Sequence, residues 1–184
     1  NLWYTIEESQ NQIQRLLQSG VNLIIYGTPE KGLHGSIHKR LSLCKEKFAG
    51  QFNYVHNYTE DKAHQYLAGA DMILCPSLYE PCGLVQMFAM KFGTVPLVRP
   101  IGGLKDTIIP HKEFPQKSTG FYIEEFQHES LCKAIEDAVN IYEKQSDEWE
   151  NIIKRGMSTD FGWDKTLKFY NAFLDQIEAE QEEV

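Results

Sequence analysis

The amino-acid sequence predicts an α/β fold, a Rossmann-like three-layer domain in which helices flank a parallel sheet. Three observations carry that expectation. Short apolar runs alternate with segments of helical periodicity, the pattern of βαβ units whose strands are covered on both faces. The chain has 184 residues of 42% hydrophobic composition, enough for one core and too little for two full-sized domains. From about residue 129 onward it is essentially all helix.

Residues Thr5 to Ser19 place Ile6, Ile13, Leu16 and Leu17 at helical spacing, and Gly20 stands where a left-handed residue ends a helix. Val21 to Tyr26 reads as a buried strand, and Ser36 to Ala49 returns to helix through Ile37, Leu41, Cys44 and Phe48. The pattern repeats. Gln51 to Val55 is a strand, Thr59 caps a helix that closes near Gly69, and Asp71 to Cys75 is a third strand ended by Pro76. Gly83 to Phe92 is expected to be helical with Gly93 as its stop, followed by a strand from Thr94 to Val98. Gly102-Gly103-Leu104 opens a short helical turn, residues 110 to 119 form an irregular loop, and Gly120 to Ile123 is a last short strand. Ligands of such sheets lie beyond the carboxyl ends of the strands, so the site belongs in a strand-to-helix loop.

Composition excludes several function classes. Twenty-six acidic residues against 18 basic ones give a net charge of -8, which disfavours nucleic acid and anionic membrane surfaces as partners. No apolar run approaches the roughly 18 to 20 residues of a bilayer span. Cys44, Cys75, Cys82 and Cys132 show neither the CxxC spacing nor the Cys/His clustering of a zinc site, and they read as free thiols. His34 and His38 are four apart without a third ligand nearby and read as solvent-facing, so no metal is expected. Trp3, Trp149 and Trp163 read as core and docking surface.

The loop after the third strand, Cys75-Pro76-Ser77-Leu78-Tyr79-Glu80-Pro81-Cys82-Gly83-Leu84-Val85-Gln86, is where chemistry concentrates. Glu80 places a carboxylate beside the backbone N–H groups of a helix start, an arrangement that binds phosphate. Gly83 would admit a ligand close to the backbone. The carboxylate can accept from sugar hydroxyls. Local physics leaves a second reading open, an ordinary acid favouring the helix dipole.

The longer string from Ala68 through Arg99, continued by Gly102-Gly103-Leu104-Lys105-Asp106-Thr107, closely resembles the C-terminal domain of glycogen and starch synthases. These are retaining glycosyltransferases of the GT-B class that pass glucose from a nucleotide sugar to the non-reducing end of an α-1,4-glucan. The likeness extends more weakly over most of residues 21 to 175, including Asp160-Phe161-Gly162-Trp163. It implies one nucleotide-sugar-binding domain over residues 1–184, the C-terminal half of a GT-B fold, with ADP-glucose or UDP-glucose as substrate and no cofactor. It also implies a cytoplasmic protein, or a plastid one in a plant or alga.

By resemblance, Glu80 is the catalytic glutamate that contacts the donor glucose. The backbone at Cys82, Gly83, Leu84 and Val85 holds glucose and distal phosphate, and Gly102 and Gly103 approach the sugar-phosphate region. Tyr58 sits where the family has an aromatic ring over the nucleotide base, though packing beside the Thr59 cap is the alternative. Departures are Val85 where the family has Thr, and Asn57 where it has Gly. Phe88 occupies the place where the wider class has a second acid, in keeping with the synthases. The N-terminal acceptor domain and the first strand of this domain, with an Arg and a Lys for the pyrophosphate, are expected to lie outside the chain. Lys31-Gly32-Leu33 is only superficially like the N-terminal Lys-x-Gly-Gly-Leu signature. The N-terminus has no initiator Met or basic leader, as expected of a fragment start. A reading from another class is a glucan-binding or scaffold module that keeps the fold without transfer.

Overall fold

The computed structural model describes residues 6–28 and 34–182, which leaves Trp3 and Lys31-Gly32-Leu33 outside the described residues. Helix α1 (Ile6–Gln18) buries Ile13, Leu16 and Leu17. It ends at Gly20, whose φ of 84° is the left-handed conformation anticipated from sequence. Strand β1 (Leu23–Tyr26), helix α2 (His34–Lys47) and strand β2 (Phe52–Val55) follow as a parallel βαβ unit, Leu23 opposite Phe52 and Tyr26 opposite Val55.

The Thr59 hydroxyl accepts from the Lys62 N–H and caps α3 (Glu60–Gly69). Strand β3 (Met72–Cys75), helix α4 (Val85–Phe92) and strand β4 (Val95–Val98) make the second unit. Gly93 closes α4 at φ 84°, with backbone bonds to the Ala89 and Met90 carbonyls. Helix α5 (Gly102–Thr107) and a 3-10 turn (Pro115–Lys117) lead to β5 (Phe121–Tyr122), which pairs parallel with β4. Three helices finish the described chain: α6 (His128–Lys144), α7 (Ser146–Ser158) and α8 (Trp163–Glu182).

Helices flank the parallel ladders as the sequence predicts, α1 packing against α2 and α6, and α4 against α3 and α7. The main core gathers Leu16 of α1, Val95 and Leu97 of β4, and Ile135, Ala138 and Ile152 of α6 and α7. A second cluster lies between α1, α2 and β2, and a third, containing Cys75, Met90, Val98, Leu104 and Ile108, lies among β3, β4, α4 and α5.

The strands form two ladders, β1-β2 and β3-β4-β5, where one sheet was expected. Burial follows the pairing. β4 is bonded along both edges and every residue in it is buried, whereas β1 and β3 are each bonded along one edge and partly exposed. Val21 to Tyr26 is therefore not the buried strand expected: Ile24 is 49% exposed, because no neighbour among the described residues pairs with the free edge of β1. Leu23 of β1 and Met72 and Leu74 of β3 still pack on the same core cluster.

Candidate functional site

Glu80 sits in the loop that carries β3 into α4, beyond the carboxyl end of its strand. The Ser77 hydroxyl donates to its Oε2 at 3.3 Å, which fixes the carboxylate by a bond from within the loop. The Gly103 N–H donates to the Glu80 carbonyl at 3.3 Å, so α5 holds the loop from the other side. Behind it, burial pushes the Cys75 thiol up to about 12, and the Glu80 carboxylate adds to that shift. Cys75 is thus a neutral wall of the site.

The glycines of this cluster permit close packing. A Cβ on Gly102 would stand 2.0 Å from the Glu80 carbonyl oxygen, and one on Gly103 would stand 1.8 Å from that of Cys82. Only a residue without a side chain lets the first turn of α5 press on the backbone of residues 80 to 82. Gly83 is not in a helix, contrary to the expected start of α4. It is a left-handed turn residue at φ 71°, and α4 begins at Val85. Its missing Cβ makes room for Gln86, whose Oε1 would otherwise lie 2.7 Å away.

Gln86 itself escaped the sequence reading. It is fully buried, and its Nε2 donates to the Gly83 carbonyl at 2.7 Å and to Thr107 Oγ1 at 3.1 Å. Thr107 in turn donates to the Gly103 carbonyl at 2.6 Å. One side chain therefore ties the 82–83 turn to both ends of α5. The signal was present as a polar residue on the apolar side of a helix next to a turn. Leu84 gives α4 no side-chain cap, so its first N–H groups keep their donor capacity, and Leu84 and Val85 are 57% and 48% exposed.

Arg99 also went unassigned. At the carboxyl end of β4, its Nη1 donates to the Ser77 carbonyl at 3.3 Å, and its guanidinium lies 5.3 Å from the Phe126 ring centroid. Its buried Nε has no hydrogen-bond partner among the described residues. A cation thereby reaches the loop that carries Glu80.

Tyr58 follows β2, on the other ladder. One face of its ring stacks on Tyr26 at 5.3 Å and 28°, yet the side chain stays 56% exposed. The Tyr26 hydroxyl donates to the Thr59 carbonyl at 2.9 Å and also lies 2.6 Å from the Thr59 N–H that donates to it. The ring is thus held from behind and open in front. The structure places Glu80, Cys82, Gly83, Leu84 and Val85 along one loop and helix start, packs Gly102 and Gly103 on the backbone of Glu80 and Cys82, and leaves Tyr58 on the loop after β2.

No group of three metal-ligating side chains occurs among the described residues. His38 is not solvent-facing as expected. Its ring lies 4.7 Å from that of His56 and 5.8 Å from that of Tyr54, while the His34 side chain lies outside the described residues. The four cysteines are unpaired. No helix among the described residues is long and apolar enough to cross a membrane.

Parallel strands flanked by helices, with a carboxylate and an uncapped helix start in one strand-to-helix loop, define an α/β domain with a candidate ligand site at the strand ends. Residues 6–155 match the family model described as "Glycosyl transferases group 1", and the chain belongs to that family. It is 35% identical over 167 residues to a glycogen synthase of Desulfitobacterium hafniense, covering 90% of this chain and 34% of that protein. With a glycogen synthase of Anoxybacillus flavithermus it shares 44% identity over 122 residues, 66% of this chain and 25% of that protein. The chain thus spans about a third of the length of the relatives it matches. Its fold is similar to the catalytic domain of starch synthase IV from Arabidopsis thaliana bound to ADP and acarbose, with a TM-score of 0.64 at 24% identity, covering 93% of this chain and 43% of that one. It is also similar to Anabaena HepE in complex with UDP, with a TM-score of 0.63 at 16% identity over 89% of this chain and 44% of that one. The chain has the fold of the C-terminal domain of a GT-B glycosyltransferase.

Proposed function

We propose that the chain is the donor-binding half of a glycogen or starch synthase, which passes glucose from ADP-glucose or UDP-glucose to the non-reducing end of an α-1,4-glucan with retention. The observation that carries this reading is the locked loop at Glu80. A carboxylate oriented by Ser77 stands beside the uncapped start of α4, on a backbone clamped by Gly102, Gly103 and Gln86. A carboxylate accepts hydrogen bonds from sugar hydroxyls and favours positive charge developing at the anomeric carbon. The N–H groups at Leu84 and Val85 suit the negative charge that builds on the departing phosphate. Tyr58 offers its open face to the base. Because these groups are held in place before substrate arrives, little reorganisation opposes the reaction.

Transfer needs an acceptor brought to the donor with water excluded. The free edges of β1 and β3 have the character of positions for a further parallel strand. α8 carries Trp163, Leu167, Tyr170, Phe173 and Leu174, all exposed, as an apolar face that suits another domain. Both features support the reading that the acceptor domain and one strand come from the rest of a longer protein. The test is E80Q in the full-length protein: turnover is expected to fall by about two orders of magnitude or more, the scale of one lost electrostatic contact in the transition state. Melting should be unchanged. Near-normal turnover would remove Glu80 from the mechanism.

A further inference from the structure

A cavity is lined in part by Lys105 of α5. Its volume is about 390 Å³, and it opens between the carboxyl ends of β4 and β5. We infer that this cavity is a binding groove for a linear α-glucan, with the exposed Phe114 ring as its platform.

The walls are of two kinds. Pro100, Pro110 and Phe114 present apolar surface, while Glu113, Glu124 and Lys105 line the remainder with charge. A sugar ring has matching halves, an apolar C–H face that lies on an aromatic ring and a rim of hydroxyl donors that carboxylates accept. Glu124 is paired with Lys112, and Glu113 and Lys105 balance, so the groove carries no excess positive charge to hold a nucleoside diphosphate and suits a neutral sugar. The Tyr122 hydroxyl does not compete for that ligand. It donates inward, 3.0 Å from the Ile108 carbonyl and 3.3 Å from that of Lys105.

The loop that presents Phe114 is built to hold still. The Pro110 carbonyl accepts from the Phe114 N–H at 3.1 Å, and the Thr119 N–H donates to the Ile109 carbonyl at 2.9 Å. Ser118 is fully buried, its carbonyl accepting from Arg155 Nε at 2.7 Å and its hydroxyl lying 3.1 Å from His111 Nδ1. Arg155 is fixed by Glu148 at 2.7 Å. Lys112 bridges to Glu124 at 3.3 Å. This network spends buried polar bonds on a loop whose tip leaves a phenylalanine 53% exposed. Preorganisation of an exposed aromatic ring lowers the entropy cost of binding and has no counterpart in core packing.

The choice of an α-glucan among neutral sugars rests on the glucosyltransferase reading above. Lys105 shares α5 with Gly102 and Gly103, so a glucan in this groove would lie next to the donor loop. The experiment is an amide NMR titration of the 184-residue chain with maltoheptaose and, separately, with ADP. Maltoheptaose is expected to shift Glu113, Phe114 and Tyr122, and F114A should weaken its binding by about tenfold. E113Q, which preserves shape, should weaken it to a lesser degree. Shifts confined to other residues, or affinity unmoved in both variants, would overturn the groove. An equal response to cellohexaose would overturn the assignment to an α-glucan. If ADP shifts Tyr58 and Gly83 while maltoheptaose shifts nothing, the groove fails and the donor reading stands. If maltoheptaose binds the groove while ADP binds nowhere, the groove stands and the donor reading fails.

Discussion

Replacing Gly103 with Ala sets two effects of opposite sign against each other. Gly103 has no left-handed φ and lies in the first turn of α5, so helix propensity alone would make Ala the better residue by up to ~1 kcal/mol. Packing says the reverse. The new Cβ would stand 1.8 Å from the Cys82 carbonyl oxygen, against roughly 3.3 Å for a tolerable C···O contact, so helix and loop must part by roughly 1.5 Å. The obstacle is backbone on both sides and cannot rotate away. Overpacking of this kind costs about 1 to 3 kcal/mol, and a clash with backbone on both sides puts it at the upper end, so a net loss of about 2 kcal/mol is expected after the helix gain, or roughly 4 to 8 °C in Tm for a domain of this size. A shift of that size also displaces the hydrogen bond from Gly103 to Glu80, and a 1 Å misplacement near reacting groups costs about a hundredfold in rate. Gly69→Ala is the matched control. It is also helical without a left-handed φ, and its Cβ would meet nothing within 4 Å, so it should be neutral or stabilising by up to ~1 kcal/mol. Thermal melts of both variants and ADP titrations of each decide the matter. If Gly103→Ala melts with the parent and binds ADP as well, the contact between α5 and the loop does not govern the site.

Burial holds His111 and His128 below the ordinary histidine range, with the Glu148 carboxylate pulling His111 partly back up. Their unfolded counterparts take up a proton first as pH falls, so this stability is complete above about pH 6.5 and is lost as pH drops toward the folded values. Tm should decline between pH 7 and 5, and H111Q should flatten part of that slope; a level Tm across the range would contradict it. Cys82 is exposed and Cys75 and Cys44 are buried with thiols pushed upward, so a maleimide should label Cys82 first in the native chain. ADP should slow that labelling, and equal labelling of Cys44 would count against the packing described. On the proposed reading, in which an acceptor domain supplies positioning and closure, the chain alone should transfer no glucose to glycogen; labelling above an E80Q control would refute this.

Elements whose cause is local were legible in the sequence. Gly20 and Gly93 end helices because a left-handed residue must follow them, and Thr59 caps α3 because its hydroxyl reaches the Lys62 N–H. The position of Glu80 at the end of a strand followed from the βα alternation. What stayed hidden depends on contacts between distant residues. Nothing near Gly102 or Gly103 announces that their absent Cβ atoms would collide with residues 80 and 82. Nothing near Val21 shows that one edge of β1 has no partner among the described residues, so the apolar run predicts a burial that the pairing does not give. Gln86 and Arg99 were missed for the same reason, since each acts through a partner on another element.

The division of labour at this site also follows from charge. The chain carries a net -8, so its overall field repels a nucleoside diphosphate. At physiological ionic strength that repulsion is screened beyond about 8 Å, which leaves attraction to groups that touch the ligand. On the proposed reading, the described loop supplies these as uncapped N–H groups at α4 and one guanidinium, Arg99, that already leans on Ser77 and Phe126. Such donors work only when aimed, because each is a partial charge or a single cation with no surplus to tolerate misalignment. The backbone clamp of Gly102, Gly103 and Gln86 is therefore part of the electrostatics. On the donor-binding reading, it fixes the direction of the dipoles that an acidic domain would rely on to hold a phosphate.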